Sequence, residues 1–124
     1  MRPARVLVVD DEVLYSDTLA KVLRRRGLDV NVAHNAADGL SALGSSAFDV
    51  VLLDVKMPGT DGLTALVQLR RDHPGVSVIL MTGHPSREEE REAAALGAFA
   101  YLLKPHPVQD LVARIEEAVS RSST

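Results

Sequence analysis

The sequence predicts an α/β fold: a doubly wound three-layer sandwich, (βα)5, built on a five-stranded parallel sheet. Three observations carry this. Five short apolar runs recur along the 124 residues. Helical periodicity fills each interval between them and follows the fifth. The connections are only a few residues long, so successive strands run parallel through right-handed crossovers. Five units are too few for an eight-fold barrel, which leaves an open sheet covered on both faces.

The first run is Arg5–Val9 (RVLVV), and Tyr15, Leu19, Val22 and Leu23 mark the helix after it. The second, Leu28–Ala33 (LDVNVA), alternates apolar and polar residues, as an edge strand with one wet face does. The other runs are near-continuous, as strands covered on both faces should be. Asn35 with Asp38 starts the second helix, and Gly44 closes it. Val50–Leu53 (VVLL) is the third strand. Leu63, Leu66, Val67 and Leu69 lie in the third helix, which His73-Pro74-Gly75 ends. Val76–Met81 (VSVILM) is the fourth strand.

Ser86 and Glu89 then have capping-box spacing and open a helix through Leu96 that Gly97 stops. Its first half, REEERE, is polar, and its second half carries only small apolar groups, so its anchoring to the core is thin. The fifth strand is Phe99–Leu103 (FAYLL). Last come Val108, Leu111, Val112, Ile115, Ala118 and Val119, one apolar helical stripe. These elements make one domain over residues 1–120, with 121–124 expected as a disordered tail.

Composition narrows the chemistry. The apolar fraction is 46%, the charged fraction 25% and the net charge −3 with both signs interspersed, so there is no basic footprint for nucleic acid. The basic run Arg24-Arg25-Arg26 sits late in a helical pattern, where cations are favoured. No cysteine is present, which excludes disulfides, thiolate metal sites and Cys nucleophiles. The charged cluster at residues 10–12 comes too soon for a signal-peptide apolar region. No stretch is long enough to span a bilayer. A cytoplasmic location is the expectation.

In open parallel sheets functional groups gather at the carboxyl ends of the strands. Here the five runs end in an informative set: Asp10-Asp11-Glu12, Asp54, Thr82-Gly83 and Lys104-Pro105 on four of them. Each residue alone reads as a cap or turn; four such coincidences at one rim do not. Clustered carboxylates repel and raise one another's pKa unless a cation joins them. An all-oxygen donor set suits a hard cation, and Mg2+ is the expectation. Lys104 adds a second positive charge and Thr82 a hydroxyl. Such a site can hold a phosphoryl group in line with a carboxylate nucleophile, with Asp54 exposed at the rim and held by the strand beneath it.

The motifs DDE (10–12), LLDVKMPGTDG (52–62), MTG (81–83) and YLLKP (101–105) together resemble the CheY-like receiver domain of bacterial response regulators, over essentially the whole chain. The resemblance implies the flavodoxin-like strand order 2-1-3-4-5. It implies that Asp54 is the phospho-acceptor, that Asp11 binds Mg2+ directly with Asp10 acting through water, and that the Lys56 carbonyl completes the protein ligands. Lys104 would pair with the bound phosphoryl group and Thr82 would hydrogen-bond it. Tyr101 matches the aromatic switch position, Lys56 and His84 the positions that tune dephosphorylation, and the Lys104–Pro105 bond is expected to be cis. His106 stands where the family usually carries an apolar residue.

By the same likeness the partners are a sensor histidine kinase or histidine phosphotransfer protein, read by first-helix residues around Tyr15, Ser16 and Leu19. A downstream output domain or target would read the face made by helix 4, strand 5 and helix 5. No direct nucleic-acid or membrane contact is implied, and homodimerisation is left open. The chain would be a switch and no enzyme beyond its own phosphorylation and autodephosphorylation. A haloacid-dehalogenase-type phosphatase would want D-x-D after strand 1, and a flavodoxin-like electron carrier an uncharged phosphate loop; neither is present. A receiver fold acting only as a phosphate-independent interaction module is the alternative that remains.

Overall fold

The computed structural model of the chain describes residues 3–122. Ten elements alternate along it: β1 (Arg5–Val9), α1 (Val13–Arg25), β2 (Asp29–Ala33), α2 (Ala36–Ser45), β3 (Val50–Asp54), α3 (Gly62–Asp72), β4 (Ser77–Thr82), α4 (Arg87–Ala95), β5 (Ala100–Leu103) and α5 (Val108–Ser122). All four strand pairings are parallel, and the order is β2-β1-β3-β4-β5, as expected.

Strand alternation splits the core into two layers. Val6, Val8, Val50, Leu52, Ile79 and Met81 face α1 and α5, where Leu19, Leu23, Leu111 and Ile115 meet them. Leu7, Val9, Val51, Leu53, Val78 and Leu80 face the other way, toward Leu43, Leu66 and Leu69 of α2 and α3. Burial on both faces explains why three of these strands read as unbroken apolar runs. Each fully buried Leu or Ile contributes roughly 1.5–3 kcal/mol. β2, at the sheet edge, alternates exposed and buried over Asp29–Asn31 and is then covered at Val32 and Ala33.

Helix boundaries follow the caps. The Asn35 and Ser86 side chains accept from the N–H of Asp38 and Glu89, three residues on. Asp61 caps α3 in the same way, accepting from Thr64. Two expectations are corrected. Gly44 does not close α2, because its φ is not positive and the helix continues to Ser45. Nor does the helix stop at residue 120: α5 runs to Ser122. Residues 123–124 of the expected tail lie outside the described residues. Gly97 does end its helix, with φ 96°. The thin anchoring of α4 is borne out, for Ala93 is its one buried side chain.

A glycine locks the site to the scaffold. The Gly62 N–H donates to the Val55 carbonyl at 2.8 Å. A Cβ on Gly62 would lie 2.4 Å from the Asp54 carbonyl oxygen and 2.7 Å from the Val55 Cα. Backbone on backbone cannot yield cheaply, so Gly62→Ala is expected to destabilise the domain by about 3 kcal/mol. Denaturant melts of the two proteins check this, and an unchanged midpoint would show that the turn after β3 moves freely.

Candidate functional site

Four parallel strands deliver their C-terminal residues to one rim. Asp10 follows β1, Asp54 closes β3, Thr82 closes β4 and Lys104 follows β5. The registry is tied by backbone bonds at this edge: Val55 N–H to Met81 carbonyl (3.0 Å) and Lys104 N–H to Thr82 carbonyl (2.8 Å). The Lys104–Pro105 bond is cis, as expected.

Lys104 is the hub. Its side chain is only 9% exposed, and Nζ lies 2.9 Å from Asp10 Oδ2, 2.5 Å from Glu12 Oε1 and 3.4 Å from Asp54 Oδ2. The Tyr15 ring lies against the ammonium, 4.8 Å away at its centroid, a cation–π contact. The second oxygen of Asp10 accepts from the Glu12 N–H at 2.8 Å. Asp54 Oδ1 accepts a long bond from the Lys56 N–H, 3.4 Å. Thr82 is buried, and its hydroxyl accepts from the His84 N–H at 3.1 Å.

The expectation of an exposed Asp54 is corrected: it is 5% exposed. The lysine and the loop after β1 close over it, because three carboxylates draw the one ammonium inward. Burial first, and the charge of Asp10 second, push the Asp54 carboxyl up from 3.8 to about 6, against the pull of Lys104. Burial works to lower the pKa of Lys104. The hydrogen bonds to Glu12 and Asp10 and the charges of Asp10 and Asp54 outweigh it, and the ammonium is held above its ordinary range.

Among the described residues, carboxylate oxygens of Asp10, Glu12 and Asp54 all lie within 4.8 Å of one another. Asp11, between the first two and half-buried, is not in that group. The chain bends at Asp11, and the Glu12 N–H bonded to Asp10 Oδ1 at 2.8 Å turns Glu12 back beside Asp10. Three carboxylates facing one ammonium leave an uncompensated charge near −2, and the donors are all oxygen. Both features fit a hard divalent cation. The signal for Glu12 was in the DDE motif, but nothing in the sequence distinguished it from a solvated side chain.

Other expected residues separate. The Lys56 and His84 side chains are exposed beside the site. Tyr101 is half-buried, and its hydroxyl donates to Glu89 Oε1 (2.5 Å) while accepting from the Ser86 N–H (3.1 Å), which ties β5 to the start of α4. In α1 the expected reading face is corrected: Ser16 and Leu19 are buried, since the helical period turns them inward. The exposed apolar residues of α1 are Val13 (51%) and Leu14 (83%). They border a groove that Pro105 and His106 complete from the far side.

A model of the response regulator receiver domain matches residues 6–116. The chain belongs to that family. As a receiver domain it is 40% identical over 120 residues to the DNA-binding transcriptional regulator NtrC of Escherichia coli K12. That match takes in 97% of this chain and 26% of NtrC, so the chain spans about a quarter of that relative's length. A CheY-like receiver domain from Methanospirillum hungatei superposes with a TM-score of 0.92 at 30% identity, covering 98% and 97% of the two chains. A Burkholderia pseudomallei response regulator solved with a phosphorylated aspartic acid, a calcium ion and citrate superposes at 0.86 with 30% identity, over 97% of this chain and 71% of that one. No helix among the described residues of this receiver domain is long and apolar enough to cross a membrane.

Proposed function

We propose that this receiver domain is a phosphorylation-activated switch of a two-component system that takes a phosphoryl group onto Asp54 in the presence of Mg2+. The observation that carries the reading is the Lys104 hub, one buried ammonium after β5 shared by Asp10 and Glu12 after β1 and Asp54 at the end of β3. A site built only for stability would not leave two carboxylates in excess beside a carboxyl pushed to about 6.

The donor is a phosphohistidine of a sensor kinase or a phosphotransfer protein, which sets the domain in the cytoplasm. An Asp54 oxygen forms the new P–O bond as the P–N bond breaks, and the imidazole nitrogen leaves with the electron pair and takes up a proton. Mg2+ at Asp10, Asp11, Asp54 and the Lys56 carbonyl, with the Glu12 carboxylate close by, would neutralise charge between the carboxylates and the incoming phosphoryl oxygens. Lys104 would turn from carboxylates to the phosphoryl group, and the Thr82 hydroxyl would donate to it in place of accepting from His84. The donor's helices would dock along the groove of Val13, Leu14, Pro105 and His106, which opens beside Glu12. The chain acts on its own acyl phosphate and on no other substrate. In the longer relatives the rest of the protein is the natural recipient of the signal.

Intact mass after incubation with acetyl phosphate tests this, with and without Mg2+, for wild type and Asp54→Asn. One added phosphoryl group is expected only with both Mg2+ and Asp54. No added mass, together with no response to beryllofluoride, would sink the proposal in favour of a phosphate-independent interaction module.

A further inference from the structure

The start of α4 is wired in an unusual way. In an ordinary capping box the first residue's hydroxyl takes the N–H three residues on, and the Glu there reaches back to the first residue's own N–H. Here the first half is present: Ser86 Oγ accepts from the Glu89 N–H at 3.1 Å. The second half is made through another strand. The Ser86 N–H donates to the Tyr101 hydroxyl at 3.1 Å, and that hydroxyl donates to Glu89 Oε1 at 2.5 Å. A tyrosine of β5 is inserted between the two groups that would otherwise meet.

We propose that α4 has a capping box with two closures, one relayed through Tyr101 and one direct from Glu89 to Ser86. A helix start needs partners for its unbonded N–H groups, and losing one costs local stability. With Tyr101 in place the Ser86 N–H is satisfied by the phenol. When the ring withdraws, the Glu89 carboxylate swings onto the same N–H, and no donor is orphaned. α4 buries only Ala93, so its end contacts govern where it sits. The second closure lowers the cost of moving Tyr101 and makes the α4–β5 joint reversible. In the first arm of the test below the inference stands by itself; the second arm rests on the phosphorylation switch proposed above.

Hydrogen exchange at the Ser86 amide reads the two closures in the unphosphorylated protein. Glu89→Ala leaves the relay's hydroxyl acceptor, and Tyr101→Phe leaves the direct one, so each alone should change the rate by less than about twofold. The double variant should exchange roughly tenfold faster, ~1.4 kcal/mol of lost capping. Tyr101→Phe alone giving the full acceleration would overturn the proposal, because Glu89 would then be unable to close directly. A double variant no faster than wild type would overturn it too. With Mg2+ and beryllofluoride, Glu89→Ala by itself should become roughly tenfold faster, since Tyr101 has left. If wild type binds beryllofluoride and the Glu89→Ala rate stays put, Tyr101 does not leave and the relay is permanent. If wild type does not bind it, the phosphorylation reading fails while the first arm still decides the two closures.

Discussion

Lys104→Met is expected to destabilise the unphosphorylated domain by about 3–5 kcal/mol at pH 7. Methionine keeps most of the buried stem and deletes the charge. Asp10 and Asp54, 4% and 5% exposed, then face each other with no cation between them. Removing one partner of a buried ion cluster costs more than the cluster's net worth, because the remaining charges stay desolvated. Glu12 adds little to the loss, since its carboxylate is 63% exposed and regains water.

The deficit should be relieved from two directions. Without the ammonium the buried Asp54 carboxyl, already raised to about 6, binds its proton more tightly in the native than in the unfolded chain, so the loss shrinks as pH falls from 7 to 5. Millimolar Mg2+ should restore part of it by standing in as the counter-charge. Guanidinium melts at pH 7, 6 and 5, with and without Mg2+, check both. A deficit that ignores pH and Mg2+ would mean that the lysine matters for its stem and not for its charge. In wild type the Lys104 pKa is raised, so its contribution is fully present below its ordinary 10.5 and is lost only in alkali.

Asp54→Asn should act with the opposite sign. The native carboxyl sits at about 6 against an ordinary 3.8, chiefly from burial. Between those values the folded state holds more protons than the unfolded one, so stability falls as pH rises through that window. Above about 6 the penalty is complete. The gap corresponds to ~3 kcal/mol; the effective dielectric of the protein around the ion cluster screens part of it, leaving about 1–2 kcal/mol. Asparagine keeps the shape and drops the charge. The variant is therefore expected to be more stable than wild type by that amount at pH 7, with the difference vanishing near pH 4. Paired melts across pH 4–8 measure it. A variant less stable at pH 7 would show that the attraction between Asp54 and Lys104 exceeds the cost of burying the carboxylate. The expected outcomes of the two substitutions together would identify Asp54 as a residue retained against stability, as functional groups often are.

Much of this was legible along the chain. Strand runs and helix stripes are local patterns, each decided by whether side chains face the core, so periodicity exposed them. Asn35 and Ser86 could be named as caps because a cap needs only its own hydroxyl or amide and a backbone N–H three residues away. Gly44 misled for the same local reason: a glycine near a helix end permits a positive φ but does not require one.

Asp10, Asp54, Thr82 and Lys104 were found as a set because a parallel sheet sends all strand ends to one edge. What sequence could not rank was distance. Glu12 and Asp11 are adjacent acids, yet one touches Lys104 at 2.5 Å and the other stands outside the carboxylate group. Ser16 and Leu19 were placed on a reading surface, but a helix's phase against the sheet is settled only when its neighbours pack.

By itself, then, the sequence determined the order and type of the elements, the parallel sheet and the chemical identity of the rim. These depend on periodicity, caps and residue type, all short-range properties. Only the tertiary structure decided that Asp54 is buried, that Glu12 completes the ammonium's shell, and that Tyr101 lies between Ser86 and Glu89. Those facts join residues 12 to 92 positions apart, and side-chain distances across such gaps are set by packing, which no local pattern encodes.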